Sequence, residues 1–96
     1  MNSWMGKGVA TRVHSPDFDA DFSALPQKTR RQIEKNLDEM GLRLADYPHY
    51  RLTGSTECRL RVGDHRVIYE FDARKNVIHV LAVGNRDKIY TRRQIL

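Results

Sequence analysis

ECRLRVGDHRVIYEFD, residues Glu57 to Asp72, decides how this chain folds. Its apolar residues alternate on both sides of Gly63-Asp64, a two-residue connection with glycine first, as a tight hairpin turn requires. Two antiparallel strands follow, Glu57 to Val62 and His65 to Asp72. In that register Val62 faces His65, Arg61 faces Arg66, Leu60 faces Val67 and Arg59 faces Ile68, and facing residues project to the same side. One face carries Cys58, Leu60, Val62, Val67, Tyr69 and Phe71, with His65 at its rim, and is the face that must meet other elements. The opposite face carries Glu57, Arg59, Arg61, Arg66, Ile68 and Glu70. Two arginines directly opposed destabilise a sheet. An anion bound across them offsets that repulsion, whereas neutralisation by Glu57 and Glu70 would make the face an ordinary charged surface.

Outward from the hairpin, a turn over Asp72 to Asn76 leads to a third, more apolar strand, Val77 to Val83, followed by Gly84, Asn85 and Arg86. Upstream, Tyr50 to Thr56 contains Gly54 and several polar residues and reads as a loop. Ser15-Pro16 is a helix start, with Ser15 as N-cap, Pro16 at the first position and Asp17, Asp19 and Asp21 near the positive end of the dipole. Pro26 opens a second helix, in which Ile33, Leu37, Met40 and Leu44 recur on one face, so the helix is carried to about Ala45 and is ended by Tyr47-Pro48. Val9, Thr11 and Val13 alternate in a half-buried first strand, Lys7 to His14. The expected fold is α+β, with two N-terminal helices packed on a small, mainly antiparallel four-stranded sheet. A leader over residues 1–8 and a single domain over 9–96 are the expected divisions.

Charge is distributed unevenly along the 96 residues. The net charge of +5 comes from the second half, where Arg51 to Leu96 hold ten Lys or Arg against five Asp or Glu, eight of the ten being arginine. Arginine's planar fork suits phosphate, so the bias points to nucleic acid. The longest apolar run, Val77 to Val83, is broken by His79 and is far shorter than the roughly 20 residues of a membrane span. Neither a membrane association nor a secretory leader is expected, and the cytoplasm is the expected compartment. A lone cysteine, Cys58, excludes an internal disulfide and suits a reducing environment. His14, His49 and His79 lack metal-ligand spacing among themselves or with Cys58, so neither metal nor other cofactor is expected.

Cys58-Arg-Leu-Arg-Val-Gly-Asp-His-Arg-Val-Ile-Tyr69, continuing through Val80-Leu-Ala-Val-Gly-Asn-Arg86 to Ile89-Tyr90, resembles the RelE/ParE superfamily of toxins from bacterial type II toxin-antitoxin systems, and within it the RelE-like branch. The resemblance covers roughly Ala10 to Tyr90. It implies a ribosome-dependent endoribonuclease that cuts mRNA in the ribosomal A site without a metal. In that reaction the ribose 2′-hydroxyl attacks the adjacent phosphate, leaving a cyclic phosphate and a free 5′-hydroxyl. The resemblance carries the family's functional positions onto Arg59, Arg61, Arg66, Arg86 and Tyr90. Arg66 and Arg86 are expected to hold the scissile phosphate, Arg61 to add catalytic charge, and Arg59 and Arg61 to bind RNA.

One departure bears on proton transfer. Better-known RelE-like members carry lysine at the positions of Arg59 and Arg61, and arginine, with a pKa above about 12, is a poor general base or acid. Tyr90 and His65 are the candidates that remain, His65 because an imidazole titrates near neutrality. The partners implied are mRNA, the 70S ribosome and a cognate antitoxin protein, with the basic face and the apolar neighbourhood of Val9 and Phe18 as candidate antitoxin surfaces. Two alternatives share the fold: a ParE-like poison of DNA gyrase, and a non-catalytic RNA-binding module.

Overall fold

A computed structural model describes residues 8–85, 87 and 89 of the chain. The elements run β1 (Thr11–His14), α1 (Pro16–Ser23), α2 (Gln27–Leu42), β2 (Tyr50–Arg51), β3 (Cys58–Val62), β4 (His65–Asp72) and β5 (Val77–Asn85). They form one five-stranded sheet in the order β1-β5-β4-β3-β2, with β1 parallel to β5 and every other pairing antiparallel. The α+β class and the mainly antiparallel sheet are as expected. The strand count is corrected from four to five, because Tyr50–Arg51 pairs with Arg59 and Cys58 rather than remaining loop. Its polar, glycine-containing surroundings hide a strand only two residues long. The two helices follow β1 rather than opening the chain.

The helix starts follow from local chemistry. Ser15 Oγ accepts a hydrogen bond from the Phe18 amide at 3.0 Å and donates to the Leu81 carbonyl at 2.6 Å. The cap therefore satisfies an orphan amide of α1 and ties the helix to β5 in one step. Pro26 caps α2 with no side-chain bond, and Arg30 Nη1 donates to the Leu25 carbonyl at 2.5 Å just beyond the end of α1. Gly41 lies in the last turn of α2, and its carbonyl accepts from the Ala10 amide at 3.0 Å, joining the helix to the segment that leads into β1. The helix stops at Leu42 rather than Ala45, because Arg43 leaves the helical region at φ −145°, ψ 50°. Leu44 is nevertheless buried, carried there by the following turn.

Both helices cover one face of the sheet. Phe18 from α1 and Ile33, Leu37 and Met40 from α2 pack with Leu60, Val62, Val67, Tyr69, Ile78 and Val80 in the main core, and Phe71 borders it. The hairpin faces fall as the alternation requires, with all four expected pairs observed and Gly63 at φ 59° in the turn. A positive φ at that position suits glycine alone at little cost.

The outer strand differs from expectation. Val9 and Val13 are exposed, while Ala10 is buried in the main core and Arg12 reaches Asp38 of α2 at 3.3 Å. β1 lies at the sheet edge, where Val13 faces away from the helices beside exposed His79, while Val9, just before β1, lies against Gly41 of α2 with its outer side in water. No helix among the described residues is long and apolar enough to cross a membrane.

Candidate nucleic-acid interface

The face of the sheet away from the helices is not uniformly open. Leu52, from the loop after β2, packs with Ile68, Ala82 and Ile89 in a second, smaller apolar cluster. Ile68 is fully buried there although it stands among arginines in the sequence alternation. The arginines occupy what this cluster leaves uncovered.

Arg59 and Arg61 project from β3 and are exposed, whereas Arg66 on β4 is only 8% exposed. The cause is positional. β4 lies between β3 and β5, and the residue paired with Arg66 on β5 is Gly84, which offers no side chain. Ile89 of the second cluster stands directly over Gly84, so that cluster covers the sheet beside Arg66. Arg66 Nη1 donates to the carbonyls of His65 at 3.1 Å and Gly63 at 3.4 Å. Among the described residues Arg59, Arg61 and Arg66 form no salt bridge. Glu70 instead accepts a hydrogen bond from Thr56 Oγ1 at 2.5 Å. A buried guanidinium bonded only to neutral carbonyls keeps its charge unbalanced, and that favours an anion alongside it.

The three arginines line one cleft of about 440 Å³ with Asn36, Tyr47, Pro48, Tyr50 and Leu60. It wraps the sheet edge where β2 ends and the rest of β3 has no further strand beside it. Tyr50 is 60% exposed and pairs with Arg59, so its side chain shares the arginine face. Burial raises the pKa of the Tyr47 hydroxyl, Glu39 raises it further and Arg43 partly opposes the shift, so the group remains a proton donor at neutral pH. Sequence reasoning missed Asn36, Tyr47 and Tyr50. The available signal was the pair Tyr47 and Tyr50 on either side of Pro48-His49, immediately upstream of an arginine-rich hairpin.

His65 falls elsewhere. Its partner across the hairpin is Val62 of the main core, and it does not line the cleft. The structure thus separates it from the arginines with which a proton-transfer role would place it. Arg86 and Tyr90 lie outside the described residues. Of the two residues marking a candidate antitoxin surface, Phe18 is buried against Phe22 and His14, while Val9 is exposed and lines a groove with Leu42 and Ala45.

A third set of polar side chains is structural. His49 Nε2 donates to the Leu44 carbonyl at 2.8 Å, which leaves Nδ1 to accept from the Tyr69 hydroxyl at 2.7 Å, and the ring stacks on Phe71 at 3.8 Å. Burial holds the Tyr69 hydroxyl's pKa well above the usual phenol value and raises that of the Cys58 thiol. Both groups stay neutral and sealed within the core, away from the cleft.

Residues 13–90 match the model of a family described as the ParE toxin of the type II toxin-antitoxin system, parDE. The chain belongs to this ParE toxin family, within the RelE/ParE superfamily. Solved toxin structures share its fold. The isolated RelE toxin of E. coli superposes with a TM-score of 0.69 at 18% identity, covering 91% of this chain and 99% of that one. The archaeal RelE–RelB complex from Pyrococcus horikoshii gives 0.67 at 21% identity, covering 83% and 98%. The intact E. coli RelBE toxin-antitoxin complex gives 0.63 at 22%, covering 79% and 95%. A comparison with curated proteins finds no match.

Proposed function

We propose that this toxin is a ribosome-dependent endoribonuclease that cuts mRNA in the A site and is neutralised by a cognate antitoxin. The observation that carries the proposal is Arg66, a buried guanidinium without a carboxylate partner among the described residues, in a cleft with exposed Arg59 and Arg61. RNA supplies the missing anion. In the reaction the 2′-oxygen bonds to phosphorus and the bond to the 5′-oxygen breaks. One proton leaves the 2′-hydroxyl and one reaches the departing oxygen. Arg66 and Arg86 hold the phosphate and stabilise the charge that builds on it, and Arg61 adds to that field. Arg59 and Arg61 bind the neighbouring backbone. Tyr90 is the proposed proton-transfer residue, since His65 stands outside the cleft; the step needs no metal.

The antitoxin complexes among the structural relatives support a protein partner for this toxin, and the exposed groove at Val9 and Leu42 offers it an apolar surface. A second reading, a poison of DNA gyrase, is favoured by the family match itself, whose model is that of ParE toxins.

Primer extension on messenger from a translating extract separates the two readings. New ends at A-site codons, with cyclic phosphate upstream and free 5′-hydroxyl downstream, are the expected result. Intact messenger together with inhibition of gyrase supercoiling would replace the nuclease with the gyrase poison.

A further inference from the structure

Tyr50 lacks the contacts that a structural aromatic makes. It sits in a strand of two residues, both exposed, and belongs to neither apolar cluster. Among the described residues its ring contacts no other ring and its hydroxyl makes no hydrogen bond. Tyr47, three residues earlier, packs on His49 at 5.5 Å and lies 5.6 Å from the Arg43 guanidinium. Tyr50 keeps its apolar ring in water beside three arginines, on the face fixed by its pairing with Arg59.

We propose that Tyr50 is a stacking platform for a nucleobase, and that the cleft beside it takes one nucleotide of single-stranded RNA with its phosphate on Arg59 and Arg61. The proposal rests on the RNA-cleaving reading above and adds to it where the strand is gripped. A tyrosine loses little conformational freedom on binding and offers a flat face on which any base can stack. Cross-strand neighbours sit about 5 Å apart at Cβ. That brings a ring for the base and a fork for the phosphate within the span of one nucleotide. The Tyr47 hydroxyl, kept protonated, is a donor at the cleft wall. Asn36, whose Nδ2 is engaged by the Gln32 carbonyl at 2.7 Å, retains its side-chain carbonyl as an acceptor. The site holds the strand in register and contributes no reacting group.

The test uses a fluorescein-labelled hexaribonucleotide with 2′-O-methyl riboses, which cannot supply the attacking hydroxyl, and reads anisotropy with the purified full-length chain. Tyr50→Ala is expected to weaken binding about tenfold and Tyr50→Phe less than about twofold, as stacking without hydroxyl contact predicts. Moving an abasic site through the six positions is expected to find one position where losing the base weakens the wild type as much as Tyr50→Ala does, and weakens Tyr50→Ala no further. An unchanged affinity for Tyr50→Ala, or abasic losses that persist in full in that variant, would overturn the platform. The arginine cleft and the nuclease reading would survive that result. A wild type that binds no hexamer and leaves messenger intact would remove the reading and the platform together. Equal melting temperatures for the three proteins show that the variants remain folded.

Discussion

The two faces of the β3–β4 hairpin are built from alternate residues of the same strands, yet they hold their polar groups in opposite ways. Toward the helices, the buried polar atoms close on one another: Tyr69 donates to His49, which donates to the Leu44 carbonyl. On the other face, Arg66 is nearly as buried but finds only backbone carbonyls, and its neighbours Arg59 and Arg61 stand in a cleft. Satisfied polar groups stabilise and specify a core, whereas an unbalanced buried charge is costly until a ligand arrives. One face is built for stability, and the other is the proposed binding face.

The contrast is sharpest for the largest truncations. Leu37→Ala, within the main core, is expected to cost about 3–4 kcal/mol in urea unfolding while the folded fraction binds RNA as the wild type does. Ile68→Ala, in the thinner cluster on the arginine face, is expected to cost about 2 kcal/mol and also to weaken RNA binding, since that cluster covers the sheet beside Arg66. Wild-type RNA affinity for Ile68→Ala would break the link between the second cluster and the cleft.

Tyr69→Phe leaves His49 Nδ1 without its donor and is expected to cost about 1–2 kcal/mol. Its alkaline behaviour is a second readout. The folded Tyr69 has a raised pKa through burial, so the unfolded phenol ionises first, near pH 10. Wild-type stability is therefore expected to hold below about pH 10 and to fall as pH rises above it, with a shallower fall in Tyr69→Phe. Parallel stability curves between about pH 9.5 and 11 would contradict the sealed hydroxyl.

The smallest effect has the opposite sign for folding. Arg61→Gln relieves the repulsion against Arg66 and is expected to stabilise the chain by a few tenths of a kcal/mol. The same change is expected to lower the salt slope of RNA binding by about 0.7. A slope equal to the wild type's would remove Arg61 from the interface.

How far the sequence reaches is visible in these same residues. Alternation around Gly63-Asp64 placed every hairpin residue on its face, because a period of two leaves no other choice once the turn is known. It could not show that Leu52 and Ile89 return over the arginine face, since such contacts join segments distant in sequence. Arg66 therefore read as exposed. Val9 and Val13 read as half-buried because alternation reports periodicity and not which side is covered. Tyr50 was overlooked for a different reason: a strand of two residues has no period to detect.

The most direct test of the arginine face is the rate of messenger cleavage on translating ribosomes by the wild type and by Arg66→Ala, with the variant's folding verified by its melting curve. Loss of a preorganised charge at the reacting phosphate predicts a fall of about 10²–10³-fold with the fold intact. A folded Arg66→Ala that cuts at the wild-type rate would contradict the account.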